Sequence, residues 1–293
     1  MFKKSSRLIC FISLILSFIC ISGCKFANLS SGVINPKGVI AYQEQKLMID
    51  SVLFMLIVVV PVIILSFAFA WKYRASNKKA TYAPNWSHSS LLEWIWWGVP
   101  CVIILILAIM AWNTSHKLDP YRPIDGVKGK PITIQAVSLR WKWLFIYPDQ
   151  NIATVNYIEI PKDRQIKFLI TSDAPMNAFF IPQLASQIYS MAGMQTKLHL
   201  VANHNGVYKG FSANYSGDGF SDMKFNVKVE SDKDFNTWVQ KVKQVKHKLF
   251  IPEYKQLVKP SESNPVAYYS DVRPKLFKRI MMQYMMPNME LHK

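Results

Sequence analysis

The residues that could do chemistry in this sequence are few, and the cysteines set the first limit. The four cysteines are Cys10, Cys20, Cys24 and Cys101, and residues 102–293 contain none. Thiolates are the usual nucleophiles and soft-metal ligands of proteins, and cysteines alone form disulfides. The long C-terminal part therefore forms no disulfide, holds no cysteine-ligated cluster or metal and uses no thiol nucleophile.

Cys24 has a different chemistry, because it follows a leader sequence. Residues 1–23 contain a basic start, a run of mostly apolar residues (Leu8–Cys20) and small residues at the end. This pattern predicts a secretory signal peptide, since the apolar run is too short to span a bilayer. Ile21-Ser22-Gly23-Cys24 is similar to the bacterial lipobox, in which the cysteine becomes the lipid-bearing first residue. An uncleaved signal anchor is the alternative.

Two further apolar stretches, Val52–Trp71 and Trp94–Trp112, contain no charged residue. Each is long enough to cross a bilayer, so the pair predicts a transmembrane hairpin. A soluble helical hairpin is the alternative. The predicted hairpin domain covers residues 47–112, with helices at about 50–71 and 91–112.

The orientation of the hairpin follows from Cys24 rather than from charge. Residues 72–90 carry four basic residues and no acid, but residues 117–130 also carry four basic residues. The positive-inside rule alone therefore does not decide the orientation. Lipids are attached to a lipobox cysteine on the outer face, which predicts that residues 24–46 and the whole chain after residue 112 lie outside.

From residue 130 onward the sequence changes to short runs of β-branched and aromatic residues, separated by turn residues such as Pro148-Asp149. Such runs predict β-strands. Six or seven strands in about 100 residues predict a Greek-key sandwich or barrel, which we assign to residues 113–230. The predicted strands are Ile132–Val137, Trp141–Tyr147, Val155–Ile160, Ile166–Thr171, Ala178–Ile181, Lys197–Val201 and Met223–Val229.

Residues 231–293 predict a C-terminal helix followed by a tail. Apolar residues at helical spacing predict an amphipathic helix over Asp234–Lys246. The tail is irregular and ends in a group of methionines, which predict a packing or docking helix. A copper-binding methionine cluster is the alternative. The methionines are Met281, Met282, Met285, Met286 and Met289.

The composition excludes some classes of protein. The chain has 293 residues, of which 51% are hydrophobic and 13% aromatic, and this excludes a disordered chain. The formal net charge of +17 is typical of nucleic-acid binding or of proximity to anionic lipid. Because the predicted topology places the large domain outside the cell, we expect membrane lipid and no nucleic acid as partner.

Three stretches of the sequence are similar to subunit II of the haem–copper oxidases. Glu93–Pro100 is similar to the Glu-x-x-Trp-x-x-x-Pro opening of that family's second helix, and Trp141-Lys142-Trp143 is similar to its aromatic segment. Gly210–Met223 aligns without gaps on its dinuclear-copper loop, Gly-x-Cys-x-Glu-x-Cys-Gly-x-x-His-x-x-Met. The resemblance implies a membrane-anchored α+β chain: a two-helix hairpin, an all-β cupredoxin-like Greek-key domain and a helical or irregular tail.

The copper loop of this chain departs from the family pattern at nearly every ligand. Hydroxyls replace both thiolates, and a serine hydroxyl neither ionises near neutral pH nor suits copper. One thioether does not hold the metal alone, so we expect no copper in this chain. The corresponding residues are Asn177 and Phe220 for the two histidines, Ser212 and Ser216 for the cysteines, Asn214 for the glutamate, and Met223, which is retained.

This pattern of losses resembles subunit II of the cytochrome-o-type ubiquinol oxidases, which take electrons from membrane quinol. The resemblance implies a proton-pumping respiratory complex whose haems, copper and quinol site belong to subunit I. Subunit I, further small membrane subunits and membrane lipid are the expected partners, and cytochrome c is not. This chain would be an inner-membrane lipoprotein that supports and caps subunit I, and it would bind no cofactor itself.

Glu93 is the one residue with a possible chemical role in this chain. In related oxidases a carboxylate at this position is implicated in proton uptake towards subunit I. The alternative is structural, because Ser90-Leu91-Leu92-Glu93 has the sequence of a helix capping box.

Two rival functions remain open from the sequence. A copper-containing cytochrome c oxidase subunit would need the thiolates and would favour an acidic docking face. The part after residue 112, however, has 25 basic and 15 acidic residues. The other rival is a lipid-anchored binding or assembly protein with a cupredoxin-like domain, which would purify without haem.

Overall fold

The computed structural model describes residues 32–81, 83–127 and 129–285. The predicted signal peptide, Cys24 and the methionines Met286 and Met289 lie outside the described residues. Two long helices come first, a β-rich domain follows, and three short helices lie near the C-terminal end of the described chain. This order confirms the predicted class, a helical membrane hairpin joined to a β domain.

The hairpin consists of α1 (Val39–Lys72) and α2 (Ser90–Lys117). Both helices are long and apolar enough to cross a membrane. α1 begins 11 residues before the predicted start near residue 50, inside the segment predicted as 24–46. Its 34 residues span about 51 Å, against about 30 Å for the bilayer core. The extra turns carry polar residues, which a hydropathy pattern does not mark, and they continue the helix into the outer domain.

The hairpin leaves its apolar side chains uncovered. Within α2 no residue is buried, and within α1 only Ala41 is. Trp94 and Trp96 are 80% and 78% exposed. Contiguous apolar surface of this extent marks contact with lipid or with a partner protein.

The outer domain is built from two sheets. The six-stranded sheet has the order β11-β3-β2-β1-β5-β8, and the five-stranded sheet has the order β4-β10-β9-β6-β7. The strands are β1 (Ile132–Leu139), β2 (Lys142–Tyr147), β3 (Ile152–Val155), β4 (Tyr157–Pro161), β5 (Gln165–Ser172), β6 (Asn177–Phe180), β7 (Ile188–Ser190), β8 (Thr196–Val201), β9 (Gly206–Ser212), β10 (Lys224–Glu230) and β11 (Ala267–Tyr269).

Aromatic side chains hold the two sheets together. Trp143 of β2 lies 5.3 Å, centroid to centroid, from Phe179 of β6 and 5.9 Å from Phe225 of β10, in edge-to-face contacts. All three rings are buried. Buried aromatic pairs of this geometry contribute stabilisation beyond that of the apolar area they remove from water, so these rings are a main link between the two sheets.

The structure corrects the predicted strands at two points. The single strand predicted over Val155–Ile160 is divided at Asn156, whose φ is +55° and whose Oδ1 accepts a hydrogen bond from the Trp143 N–H at 2.9 Å. The strands β7, β9 and β11 were not predicted. β9 was missed because its two glycines and alternating exposed residues give no apolar run.

The C-terminal helices pack on the domain. They are α3 (Asp232–Lys243), where Asp234–Lys246 was predicted, α4 (Ile251–Leu257) and α5 (Leu276–Met285). α5 buries Leu276, Phe277 and Ile280 rather than its methionines. The described part of the Met-rich end is therefore a packing helix.

The start of α1 is attached to the outer domain. Gly38 forms an antiparallel bridge with Ala202, directly after β8, and its N–H donates to the Gln183 carbonyl at 3.1 Å. A Cβ at Gly38 would lie 2.4 Å from the Leu184 carbonyl oxygen, so this close approach requires glycine. The hairpin and the β domain are thus joined along the β8 edge of the six-stranded sheet.

Candidate functional site

The loop that resembles a copper site is closed on itself by the backbone. Ser212 ends β9, a 3₁₀ turn occupies Asp218–Asp222, and Met223 precedes β10. The Ser212 N–H donates to the Met223 carbonyl at 3.0 Å, and the neighbouring Ala213 N–H donates to the Ala178 carbonyl at 3.0 Å. The structure therefore brings Asn177, Ser212 and Met223 together, as the aligned motif predicts.

One polar side chain of this loop, Ser212, joins a hydrogen-bonded group of polar side chains from the neighbouring strands β1, β5 and β6. Ser212 Oγ donates to Asn177 Oδ1 at 2.7 Å, and Asn177 Nδ2 donates to Ser138 Oγ at 2.9 Å. Ser138 Oγ is 3.2 Å from Ser172 Oγ. All four residues are buried. We call them the Asn177 cluster; it satisfies polar groups that would otherwise be costly to bury.

The other three aligned positions point elsewhere. Asn214 Nδ2 donates to the Met176 carbonyl at 3.0 Å, and the Phe220 ring packs on Tyr215 with centroids 5.7 Å apart. The hydroxyl of Ser216 is buried and has no hydrogen-bond partner in the described part of the chain. Asn214, Ser216 and Phe220 therefore do not join the Asn177 cluster.

This set of donors does not fit copper. It offers hydroxyls, amides and one thioether, whereas soft thiolates and imidazoles are the ligands that copper prefers. His199 lies on β8, where its Nδ1 is 3.1 Å from the Pro120 carbonyl, and burial lowers its pKa. Within the described ranges, no group of three or more His, Cys, Asp or Glu is placed to hold a metal.

Glu93 lies near the start of α2, but it does not form the predicted capping box. The N-cap is Ser89 rather than Ser90, and its side chain makes no capping bond. With Ser89 as N-cap the third helical residue is Leu92, which cannot complete a capping box, and Glu93 is the fourth. The Glu93 carboxylate instead lies 3.4 Å from His88 Nε2, and both side chains are more than half exposed. Glu93, Ser90, Trp94 and Trp97 line a cavity of about 440 Å³.

A buried acid that the sequence did not single out lies on β4. Glu159 is 1% exposed, and its Oε2 accepts a hydrogen bond from the Tyr157 hydroxyl at 2.7 Å. Burial raises its pKa to about 7, and the nearby Glu230 carboxyl also raises it. Glu230 itself forms an ion pair with Lys228 that lowers its pKa. Glu159 lies between two isoleucines in a strand, and these neighbours alone do not indicate that its carboxyl group is buried.

Lys142 is a second buried charge that was missed. The side chain, in the Trp-Lys-Trp segment, is 2% exposed, and its Nζ donates to the Lys259 carbonyl at 3.0 Å and to Ser261 Oγ. Burial lowers its pKa. Within the described residues no carboxylate pairs with it. A lysine between two tryptophans in a strand was the only hint available from the sequence.

Comparisons with known families agree with this architecture. The model of "Cytochrome C oxidase subunit II, transmembrane domain" matches residues 35–113, and that of "Cytochrome C oxidase subunit II, periplasmic domain" matches residues 150–230. A third, "COX Aromatic Rich Motif", matches residues 243–288. The matches cover nearly the whole hairpin, most of the strands and the last two helices, α4 and α5.

A relative from Pseudomonas aeruginosa, named cytochrome bo(3) ubiquinol oxidase subunit 2, is 59% identical over 250 residues, which are 85% of this chain and 75% of the relative. The chain belongs to the ubiquinol oxidase subunit 2 family. The family member from Pseudomonas putida is 51% identical over 269 residues, covering 92% of this chain and 84% of the relative.

Among solved structures, the periplasmic domain of subunit II of cytochrome oxidase from Bradyrhizobium japonicum matches with a TM-score of 0.38 and 22% identity, over 39% of this chain and 95% of that chain. The family assignment rests on the sequence relatives and on the matched domains. Two spanning helices and a periplasmic-type domain fit an inner-membrane protein, and a subunit II implies a subunit I as partner.

Proposed function

We propose that this chain is the non-copper subunit II of a proton-pumping quinol:oxygen oxidoreductase of the aerobic respiratory chain, where it supports and caps subunit I. The carrying observation is the loop Gly210–Met223. Its backbone brings Ser212 and Met223 next to Asn177, and the Ser212 hydroxyl bonds to the Asn177 amide, so these two positions satisfy each other rather than a metal. A copper relay serves electrons that arrive from a soluble protein such as cytochrome c. Quinol in the membrane reaches the partner subunit directly and needs no such relay.

In this division of labour the haems, the copper and the quinol site belong to subunit I, and this chain binds no cofactor. Its own residues provide position. The exposed apolar faces of α1 and α2 offer the surface that subunit I, further small membrane subunits and lipid would cover. The attachment of Gly38 to Ala202 would then hold the β domain above the same partner.

The chain itself has one candidate for proton chemistry, Glu93. Its carboxylate is exposed at the start of α2, beside His88. A carboxylate at the edge of a membrane span is well placed to take up protons, and these would then pass from Glu93 towards subunit I. This role rests on position and on the side chain's ability to titrate.

We also propose that Cys24 is lipidated and that the chain is an inner-membrane lipoprotein with its C-terminal domain in the periplasm. The lipobox-like Ile21-Ser22-Gly23-Cys24 supports this. Cys24→Ser should block lipid attachment and cleavage and leave a heavier precursor in the membrane, because two spanning helices anchor more firmly than acyl chains. Mass spectrometry of the mature chain measures this, and an unchanged mass would contradict the proposal.

Purification in mild detergent through an affinity tag on this chain tests the main proposal. We expect haem and a large membrane subunit to co-purify with it. A chain that is correctly inserted yet free of haem would instead support the binding-protein alternative, which the relatives do not favour.

A further inference from the structure

The outer domain contains a cleft of about 940 Å³ that the oxidase function does not use. Its walls are the loop after α3 (residues 245–250), α4, and the segment that leads into β11. β11 is the outermost strand of the six-stranded sheet, and β8 is the outermost strand on the other side. Because five strand spacings separate them, the cleft lies about 24 Å from the β8 edge.

The position of the cleft separates it from the attachment of the hairpin. The β8 edge is where the hairpin joins the domain, through the Gly38–Ala202 bridge and through the His199 N–H, which donates to the Pro120 carbonyl at 3.2 Å. The β11 edge is the opposite one. The cleft therefore lies at the edge of the sheet that is remote from the attachment of the hairpin.

The charge of the cleft is positive. Lys142, Lys246 and Lys248 line it, with His247 between the last two, and Glu253 is the one acid among the lining residues. Asp271, outside the lining, lies 3.8 Å from Lys248 Nζ. In the described parts of the chain, neither Lys142 nor Lys246 has a carboxylate within 4 Å. A buried ammonium and an exposed one in the same cleft, neither with a carboxylate partner, make an electrostatic site for an anion.

The basic loop is held in place by the backbone. The Ser270 N–H donates to the His247 carbonyl at 2.9 Å, and the Leu249 N–H donates to the Asp271 carbonyl at 2.8 Å. Beneath the loop, Lys142 is tied to Lys259 and Ser261. The backbone of the loop and the Lys142 ammonium are thus held in place before any ligand arrives, which reduces the ordering cost of binding.

We propose that this cleft binds an extended acidic segment of a partner protein. We infer an acidic ligand because negative side chains would complement the positive charge of the cleft. We infer a peptide from the volume of the cleft and from its lining, because apolar and aromatic side chains such as Leu257, Val266 and Tyr268 line it together with the cations. The adjacent β11 is an edge strand, and a sheet edge offers backbone groups to an extended chain. A small inorganic anion would use neither feature, and a lipid headgroup would have to reach the edge opposite the hairpin.

Fluorescence anisotropy on the detergent-purified complex tests the proposal. The probe is a fluorescein-labelled peptide of alternating Glu and Val, with the corresponding Lys and Val peptide as its control. The cleft variant is Lys246→Glu/Lys248→Glu, and the matched control is Lys209→Glu/Lys224→Glu on the exposed face of the five-stranded sheet. Each double substitution lowers the net charge by four, and all four lysines are exposed. Haem content and circular dichroism establish that both variants fold and assemble.

We expect the acidic peptide to bind and the cleft variant to weaken its Kd by about tenfold or more, because like charges then face each other. The matched control should change the Kd by less than about twofold at about 0.15 M salt, where distant charges are screened. Equal weakening in both variants, or equal binding of the basic peptide, would overturn the proposal. Displacement of the peptide by glycerol 3-phosphate at constant ionic strength would also overturn it, because the cleft would then be a phosphate or headgroup site.

Discussion

The outer domain and the hairpin differ at the positions that align with functional residues of the family: the outer domain has replaced most of them, and the hairpin has kept its carboxylate. In the outer domain, Asn177 and Ser212 occupy metal-ligand positions but bond to each other inside the protein. In the hairpin, Glu93 keeps a group that can titrate, and the group is exposed. Under the proposed function, the loop would serve as a hydrogen-bonded structural element without a metal, whereas the proposed role of Glu93 would require its carboxyl group. We therefore expect substitutions in the two regions to have different effects.

The largest expected effect is the return of metal chemistry to the loop. The substitutions Asn177→His, Ser212→Cys, Asn214→Glu, Ser216→Cys and Phe220→His together supply thiolates and imidazoles. Because the backbone already closes the loop, the variant should bind copper stoichiometrically, and the unaltered chain should bind none. Metal analysis after dialysis against a chelator measures both. A correctly folded variant without copper would contradict the alignment of the loop.

The second effect concerns the stability of the Asn177 cluster. Asn177→Leu keeps a similar size but removes the 2.7 Å acceptor of the buried Ser212 hydroxyl and leaves it only the longer contact, 3.4 Å, to the Asn214 carbonyl. We expect a loss of about 2–3 kcal/mol in the free energy of unfolding. Asn214→Leu is the matched control, because Asn214 is more exposed and its side chain donates only to the Met176 and Tyr215 carbonyls; about 1 kcal/mol or less is expected there. Urea unfolding followed by tryptophan fluorescence measures both, and equal losses would show that the cluster has no special role.

The third effect is kinetic and belongs to the hairpin. Glu93→Gln keeps the size of the side chain but removes its ability to carry a proton. If Glu93 takes up protons for subunit I, the variant should assemble with normal haem content and turn over several-fold more slowly. Glu262→Gln, an exposed acid of the outer domain, should have no effect. Quinol-dependent oxygen uptake per haem measures the rates, and unchanged rates across pH would leave Glu93 without a proton role.

The smallest effect is a pH dependence that comes from Glu159. Its pKa is about 7 in the folded chain, against 4.5 as its ordinary value. Between these values the folded chain holds a proton that the unfolded chain has released, so stability falls as the pH rises from 4.5 to 7. Glu159→Gln should flatten this slope, by on the order of 1–2 kcal/mol across the window. Urea unfolding at several pH values measures it. The same slope in Glu159→Gln and in the unaltered chain would assign it to another group.

A feature of the fold or of the site could be predicted from the sequence where neighbouring residues along the chain determine it. The hairpin was predicted because an uncharged stretch such as Val52–Trp71 carries its own evidence of length and polarity. Five positions in the loop, and Asn177 outside it, were assigned from the resemblance to the family motif, but the bond between Ser212 and Asn177 depends on how β9 meets β6. The burial of Glu159 could not be predicted because strands distant in sequence cover its side chain. The capping box at Ser90 was wrong because the helix begins one residue earlier, at the N-cap Ser89, where Leu92 occupies the position that a box needs for Glu or Gln.

The central claim is that this chain serves a quinol-oxidising complex without carrying electrons through its own copper. Oxygen uptake by the purified complex tests it directly, with a quinol or reduced cytochrome c as the alternative electron donor. Copper in the chain is determined after its separation from subunit I. The account predicts rapid uptake with quinol, none above background with cytochrome c, and no copper in the separated chain. Uptake driven by cytochrome c together with copper retained by this chain would contradict it.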